Sequence, residues 1–215
     1  MSATPERKLT TTLILVRHGE TEDNFARIPR GQGHGSLTAF GLTQAYALGE
    51  RLRSCRFGYL YSSDLDRAVQ TASTIGRLTG HEIRQDACLR ERHFGMFQGI
   101  PWADIPQRFP DAWQGYQSAD PDHVIPDGES AQQLYQRSVG CLDVIAQRHA
   151  GDAIVVVTHA GVINGFLRAV LGIPITMPTR FLAANASLSM FQRHDEVWNL
   201  RTFGDVCHLA AVSSG

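Results

Sequence analysis

The sequence predicts an α/β fold, a three-layer α/β/α sandwich around a mainly parallel central sheet. Three observations carry that expectation. Residues 12–16 (TLILV) and 153–158 (AIVVVT) are near-continuous, β-branched apolar runs, the pattern of strands covered on both faces. Between them lie segments whose apolar residues recur at helical spacing. Strand and helix patterns alternate through most of the chain, which favours one sheet layered between helices. Periodicity leaves the strand order open.

The first strand runs over 12–16. Residues 39–54 form a helix with Leu42, Ala45, Leu48 and Leu52 on one stripe and Thr38 as N-cap. A second short strand covers 57–61. Residues 64–79 make a second helix carrying Ala68, Ala72, Ile75 and Leu78, with Gly80 placed to end it. Residues 83–89 read as extended. Over 100–128, Pro101, Pro106, Pro110, Pro121 and Pro126 forbid a long helix, while Trp102, Phe109 and Trp113 are too apolar for a linker. That stretch is expected to be an irregular cap excursion. Ser130 and Gln133 form a capping box that opens a helix to about residue 149. The strand 153–158 follows, then a helix over 162–171 closed by Gly172. Residues 186–203 alternate as a terminal hairpin around His194-Asp195.

A length of 215 residues suits a single domain, 1–215, with a short polar N-terminal extension over 1–10. A formal net charge of −1 argues against a nucleic-acid or anionic-membrane partner, so any cationic pocket must be local. No apolar run of membrane-spanning length and no signal-peptide pattern is present, and the cytoplasm is the expected compartment. Cys55, Cys88, Cys141 and Cys207 lack the paired short spacing of a zinc or redox motif and read as reduced, mostly buried thiols. Monomer and homodimer are equally compatible with the sequence.

The two apolar strands end alike. The first runs into Arg17-His18-Gly19-Glu20-Thr21 and the second into Thr158-His159-Ala160-Gly161. Ligands of open α/β sheets gather at the carboxyl ends of strands. If these strands are neighbours, His18 and His159 face each other there. A lone histidine after a strand is more often structural; two in equivalent contexts, one beside an arginine, weaken that reading. The helix starting near Ala160 would add a positive N-terminal dipole, and Arg17 a planar cationic donor suited to phosphate oxygens. The site reads as an oxyanion pocket.

Residues 17–21 (RHGET) resemble the signature of the histidine phosphatase superfamily, the group that includes cofactor-dependent phosphoglycerate mutases. Further blocks follow in family order: Asn24 and Gly31, Leu37-Thr38 with Gly41, residues 62–72 (SSDLDRAVQTA), Leu89-Arg90-Glu91 through Gly95, Gly128-Glu129-Ser130, and His159-Ala160-Gly161. The resemblance covers about residues 12–190. It implies that His18 is the nucleophile, its second ring nitrogen held by a backbone carbonyl. It implies that Arg17, Arg67 and His159 hold the equatorial phosphoryl oxygens, with Asn24 adding a hydrogen bond. Glu91 would protonate the leaving oxygen and then activate water. Arg30, Gly31 and Ala160 are further candidates for binding the substrate, as is Asn185. Taken without the resemblance, Arg67 reads as a solvated helix arginine and Glu91 as a surface partner of Arg90 or Arg92. Glu20 and Thr21 read as structural, and His34, His81, His123, His149, His194 and His208 as surface residues.

The chain departs from the family pattern at Asp23, where an aromatic is common, and over residues 32–38. Phe94 replaces the tyrosine of the mutase version of the acid block, and no lysine lies in residues 100–128. Hydrolysis of a small soluble phosphomonoester, without metal or cofactor, is therefore the expected reaction. Mutase chemistry dependent on a bisphosphoglycerate is the runner-up, and a non-catalytic phosphate-binding protein a weaker third. A metal-dependent hydrolase is disfavoured, because arginines at the centre of a metal site would repel the ion.

Overall fold

The structure, a computed structural model, describes residues 9–118 and 120–212; most of the polar N-terminal extension lies outside the described residues. A six-stranded sheet is built from β1 (Thr11–Arg17), β2 (Tyr59–Ser62), β3 (Ile83–Gln85), β4 (Ala153–Thr158), β5 (Leu188–His194) and β6 (Val197–Asp205), in the order β3-β2-β4-β1-β5-β6. The first four are mutually parallel, and β5 and β6 extend the sheet antiparallel beyond β1. The α/β sandwich with a mainly parallel sheet is as the sequence predicts.

Alternate side chains of the buried strands feed two cores. On one face Ile14, Val16, Val155 and Val157 meet Leu48 and Leu52 of α2 (Ala39–Arg53) and Ala68, Ala72 and Ile75 of α3 (Asp66–Thr79). On the other, Leu13, Leu15, Ile154 and Val156 meet Leu142 and Ile145 of α6 (Ala131–Arg148) and Val162, Ile163 and Phe166 of α7 (Ala160–Leu171). A strand sandwiched this way must be apolar at every position, which is why both central runs read without alternation.

Capping chemistry sets the helix ends where the sequence places them. Thr38 accepts from the Gly41 N–H, Ser130 and Gln133 form the reciprocal box, and Gly80 and Gly172 end their helices in the left-handed conformation. Asp195 and Glu196, both at positive φ, make the tight turn between β5 and β6.

Several local expectations change. The strand expected over 57–61 is shifted to Tyr59–Ser62, and the stretch 83–89 pairs only over its first three residues before coiling into a short 3₁₀ turn, Ala87–Leu89. Leu42 is exposed, and Gly41 and Gln44 take the buried face of α2 instead. Thr21 and Asn24 cap a short helix, α1 (Glu22–Phe25), that periodicity could not reveal in four residues. Residues 100–128 hold two short helices, α4 (Ile105–Arg108) and α5 (Pro110–Gln117), each with proline in its first turn, where a missing N–H costs nothing. Phe97, Ile105 and Ile125 form a small core of their own, packed by Trp102, Phe109, Trp113 and Tyr116. The aromatic content of the excursion is thus the core of the cap.

Candidate active site

Parallel pairing of β1 with β4 brings the two histidine-bearing strand ends together. Arg17 is in register with Thr158, so His18 and His159 leave the sheet side by side, with ring centroids 5.2 Å apart. Both imidazoles are buried. His18 Nδ1 lies 2.7 Å from the Gly19 carbonyl, which can only accept, so that nitrogen carries the proton. Nε2 then holds the free lone pair, and Arg67 Nε donates to it at 3.3 Å. Burial, followed by the charges of Arg67 and Arg17, pushes the His18 pKa well below the ordinary histidine value.

Arg67, 4% exposed, is placed by α3, and its guanidinium is fixed by the carbonyls of Gly31 (2.7 Å) and Gly33 (3.3 Å). Gly31 therefore acts through its backbone oxygen on Arg67. Arg17 donates one N–H to the Ala183 carbonyl at 2.8 Å, while its buried Nε has no hydrogen-bond partner. Desolvation lowers the pKa of both guanidinium groups, and the Glu91 carboxylate opposes it.

On the other side, His159 Nε2 lies 2.8 Å from Ser63 Oγ. Ser63 Oγ also accepts from the Leu65 N–H, and among the described residues His159 Nε2 is the one acceptor in reach of its buried hydroxyl proton, an arrangement that puts the ring proton on Nδ1. That buried Nδ1 also lacks a partner. Two buried nitrogens, Arg17 Nε and His159 Nδ1, thus stand without partners on side chains that adjoin His18, one through its charge and one through its ring. Buried polar groups are normally satisfied, and a bound oxyanion is the partner this pair lacks.

Glu91 is aimed into the same cluster by two backbone donors, Arg92 N (2.8 Å) and Gly161 N (3.1 Å). A Cβ at position 161 would overlap Glu91 Oε1, so only glycine admits the carboxyl group at the start of α7. Neither neighbouring arginine pairs with Glu91 through its side chain: Arg90 forms a two-point pair with Asp64 at 2.7 and 2.5 Å. Ala160, the first residue of α7, lines a cavity of about 590 Å³ that opens beside Glu91 under the cap.

Asn24 is turned so that its Oδ1 accepts from Thr21 N, Thr21 Oγ1 and Asn185 Nδ2, which leaves its own amide protons to offer. Asn185 reaches the site as a brace: it also donates to the carbonyls of His18 (3.1 Å) and Gly19 (3.2 Å). Arg30 lies near enough to Arg67 for its charge to lower the Arg67 pKa, but its Nε–Nη2 edge is engaged by Asp23, which accounts for an aspartate at the position where relatives often have an aromatic. Glu20 and Thr21 are structural, accepting from Thr38 and capping α1 respectively.

Of the histidines expected at the surface, His34 and His194 are exposed, His81, His123 and His208 are half-buried, and His149 is buried. His149 is buried against Tyr61, whose hydroxyl lies 2.8 Å from its Nε2. His123 packs under the cap with a buried Nε2. The cysteines are not mostly buried: Cys88 and Cys207 are exposed and Cys55 and Cys141 half-buried, and Asp86 and Cys88 meet Cys141, distant in sequence, with potential ligand atoms within 4.8 Å of one another. Burial and the adjacent carboxylate push the Cys141 thiol up to about 12, which keeps it protonated.

The buried imidazoles give stability a defined pH dependence. His18 and His159 both have folded-state pKa values held well below the ordinary one, so the native state binds fewer protons than the unfolded chain. Their contribution is complete above the unfolded value of about 6.5 and is lost as pH falls below it, by about 1.4 kcal/mol per pH unit for each histidine. Urea midpoints measured from pH 7.5 to 5 should decline accordingly, and less steeply for His159→Asn. A flat profile would contradict neutral, buried imidazoles.

The family model for the histidine phosphatase superfamily (branch 1) matches residues 13–206. The chain is 38% identical over 205 residues to an Arabidopsis thaliana protein named metal-independent phosphoserine phosphatase, covering 94% of this chain and 84% of that one. It is 36% identical to phosphoglycerate mutase-like protein 4 of the same plant, covering 92% of this chain and 86% of the relative. A mycobacterial glucosyl-3-phosphoglycerate phosphatase solved with VO3 superposes with a TM-score of 0.80 at 30% identity, over 91% of this chain and 99% of that one. The paired histidines, the two arginines and the glutamate stand on the blocks that resemble the family, and the chain belongs to the histidine phosphatase superfamily.

Proposed function

We propose that the protein is a metal-independent phosphomonoesterase that hydrolyses small phosphate esters through a phosphohistidine on His18. The observation that carries this reading is the His18 tautomer. With Nδ1–H held by the Gly19 carbonyl, Nε2 presents its lone pair, and two buried nitrogens on adjoining side chains lack partners.

In the first step Nε2 attacks phosphorus and the P–O bond to the leaving group breaks. Arg17, Arg67 and His159 hold the equatorial oxygens and offset the charge that spreads over them. Asn24 donates through its amide. Glu91 transfers a proton to the departing oxygen. In the second step Glu91 takes a proton from water, whose oxygen attacks phosphorus; the P–N bond breaks and His18 returns neutral. Guanidinium groups at the centre of this cluster oppose binding of a metal ion there, in keeping with the metal-independent relative.

Mutase chemistry remains the second reading, supported by the relative named phosphoglycerate mutase-like. One assay separates them: a panel of phosphomonoesters in chelator, with and without 2,3-bisphosphoglycerate. Phosphate release undiminished by chelator is expected. Isomerisation of 3-phosphoglycerate outpacing phosphate release would replace hydrolase with mutase.

A further inference from the structure

We propose that Arg92 reads a carboxylate on the leaving group, so that the preferred substrates are phosphomonoesters of hydroxy or amino acids; this rests on the phosphatase reading above. Arg92 follows Glu91 directly in the chain, and its side chain lines the cavity that opens beside that residue. Whatever Glu91 protonates therefore leaves past the Arg92 guanidinium.

The guanidinium is half-buried. Among the described residues it has no carboxylate in contact with it and forms no ion pair. Its Nε donates to the Glu129 carbonyl at 2.8 Å, Nη2 makes only a long contact of 3.5 Å with the His123 carbonyl, and Nη1 has no protein acceptor. Desolvation lowers its pKa, opposed by Tyr116 and by the more distant charges of Glu129 and Glu91. The carboxylates that could have neutralised it are engaged elsewhere. Glu129 gives both oxygens to Arg137, each at 2.9 Å, and Glu91 accepts from two backbone N–H groups. Asp120 stands exposed at the cavity rim, where it accepts from Asp122 N.

A desolvated cation without a partner is costly, and a protein retains one where a ligand supplies the missing charge. The rings of Phe94 and Tyr116, 5.7 and 5.5 Å from the guanidinium carbon, hold it in place by its faces and leave its Nη edge for the ligand. One planar edge suits a planar carboxylate; a second phosphoryl dianion would call for more donors. The other cavity arginine cannot supply them. Arg168 is committed to the carbonyls of Pro174 and Met177, at 2.7 Å each, and to Thr179 Oγ1 at 3.0 Å. Phe94, lacking the hydroxyl of a tyrosine, contributes a ring face to this arrangement and leaves the anion to Arg92.

The test compares kcat/KM within matched pairs that differ in the carboxylate: O-phosphoserine against O-phosphoethanolamine, and 3-phosphoglycerate against glycerol 3-phosphate. The wild type should favour the carboxylate member by on the order of 10²-fold, because a site built around a polar group discriminates strongly against its absence. In Arg92→Met that ratio should fall at least about tenfold towards unity, whatever happens to absolute rates, and Arg92→Lys should keep part of it. A wild-type ratio near one in both pairs, or a ratio unchanged in Arg92→Met, overturns the inference; the wild-type ratios decide even if the methionine variant does not fold. Turnover of p-nitrophenyl phosphate but of none of the four esters would sink the carboxylate and leave the phosphatase. Turnover of no ester at all would sink both.

Discussion

Replacing His18 with alanine is expected to lower kcat for any phosphomonoester by on the order of 10⁴-fold or more, the scale seen when a nucleophile is removed from a covalent mechanism. The residual rate would come from the remaining clamp, which still binds and polarises the ester. The variant should keep its fold. The backbone N–H and carbonyl of His18 bond to Thr158 and Ala186, so the strand exit does not depend on the imidazole. Two measurements check the expectation. Steady-state rates give the size of the loss, and rapid acid-free quenching with radiolabelled ester should trap an acid-labile, base-stable phosphoryl group on the wild type but none on His18→Ala. Label persisting on the variant would move the nucleophile elsewhere. Near-normal turnover would remove phosphohistidine chemistry altogether.

Glu91→Gln should give the second-largest effect, and its signature depends on the leaving group. For alkyl phosphates the departing alkoxide needs a proton, and losing the general acid should cost about 10² to 10⁴ in kcat. An aryl ester such as p-nitrophenyl phosphate expels a stable phenolate, so its first step should be slowed far less. The second step still needs a base to activate water. The variant should therefore release about one equivalent of nitrophenol rapidly and then stall as phosphoenzyme, a burst visible by stopped flow. Glutamine preserves the size of the side chain but can accept from only one of the two N–H donors with its oxygen. Equal slowing of the first step for alkyl and aryl esters would point to a structural role for Glu91.

Much of this site is legible in one dimension because it stands at strand exits and helix starts. His18 and His159 follow the two most apolar runs in the chain, and the pattern of those runs predicts their burial and hence the end of the sheet at which chemistry occurs. The arginine of SSDLDRAVQTA reads on its own as a solvated helix residue. Its burial follows from α3 packing on the face of Ile14 and Val16, which directs Arg67 at His18. Arg30 shows the opposite case. The short spacing that makes it a candidate also puts Asp23 within reach, and a two-point ion pair with a neighbour seven residues away occupies one edge of its guanidinium. The burial of His149 is equally invisible to local pattern, since its partner Tyr61 is 88 residues distant.

By itself the sequence determined the α/β class, the two buried strands, the helix caps and the set of candidate residues for phosphoryl transfer, because each is encoded by local periodicity, capping or a contiguous motif. Only the tertiary structure decided that β1 and β4 are neighbours, which nitrogen of His18 is free, how Ser63 and Asn185 hold His159 and the strand exit at His18, and that Arg92 stands beside Glu91 without an ion-pair partner among the described residues. Partner choice in a buried cluster is made across separations such as the 167 residues between His18 and Asn185. Local propensity carries no information at that range, and only the packing of the two helical layers on the sheet supplies it.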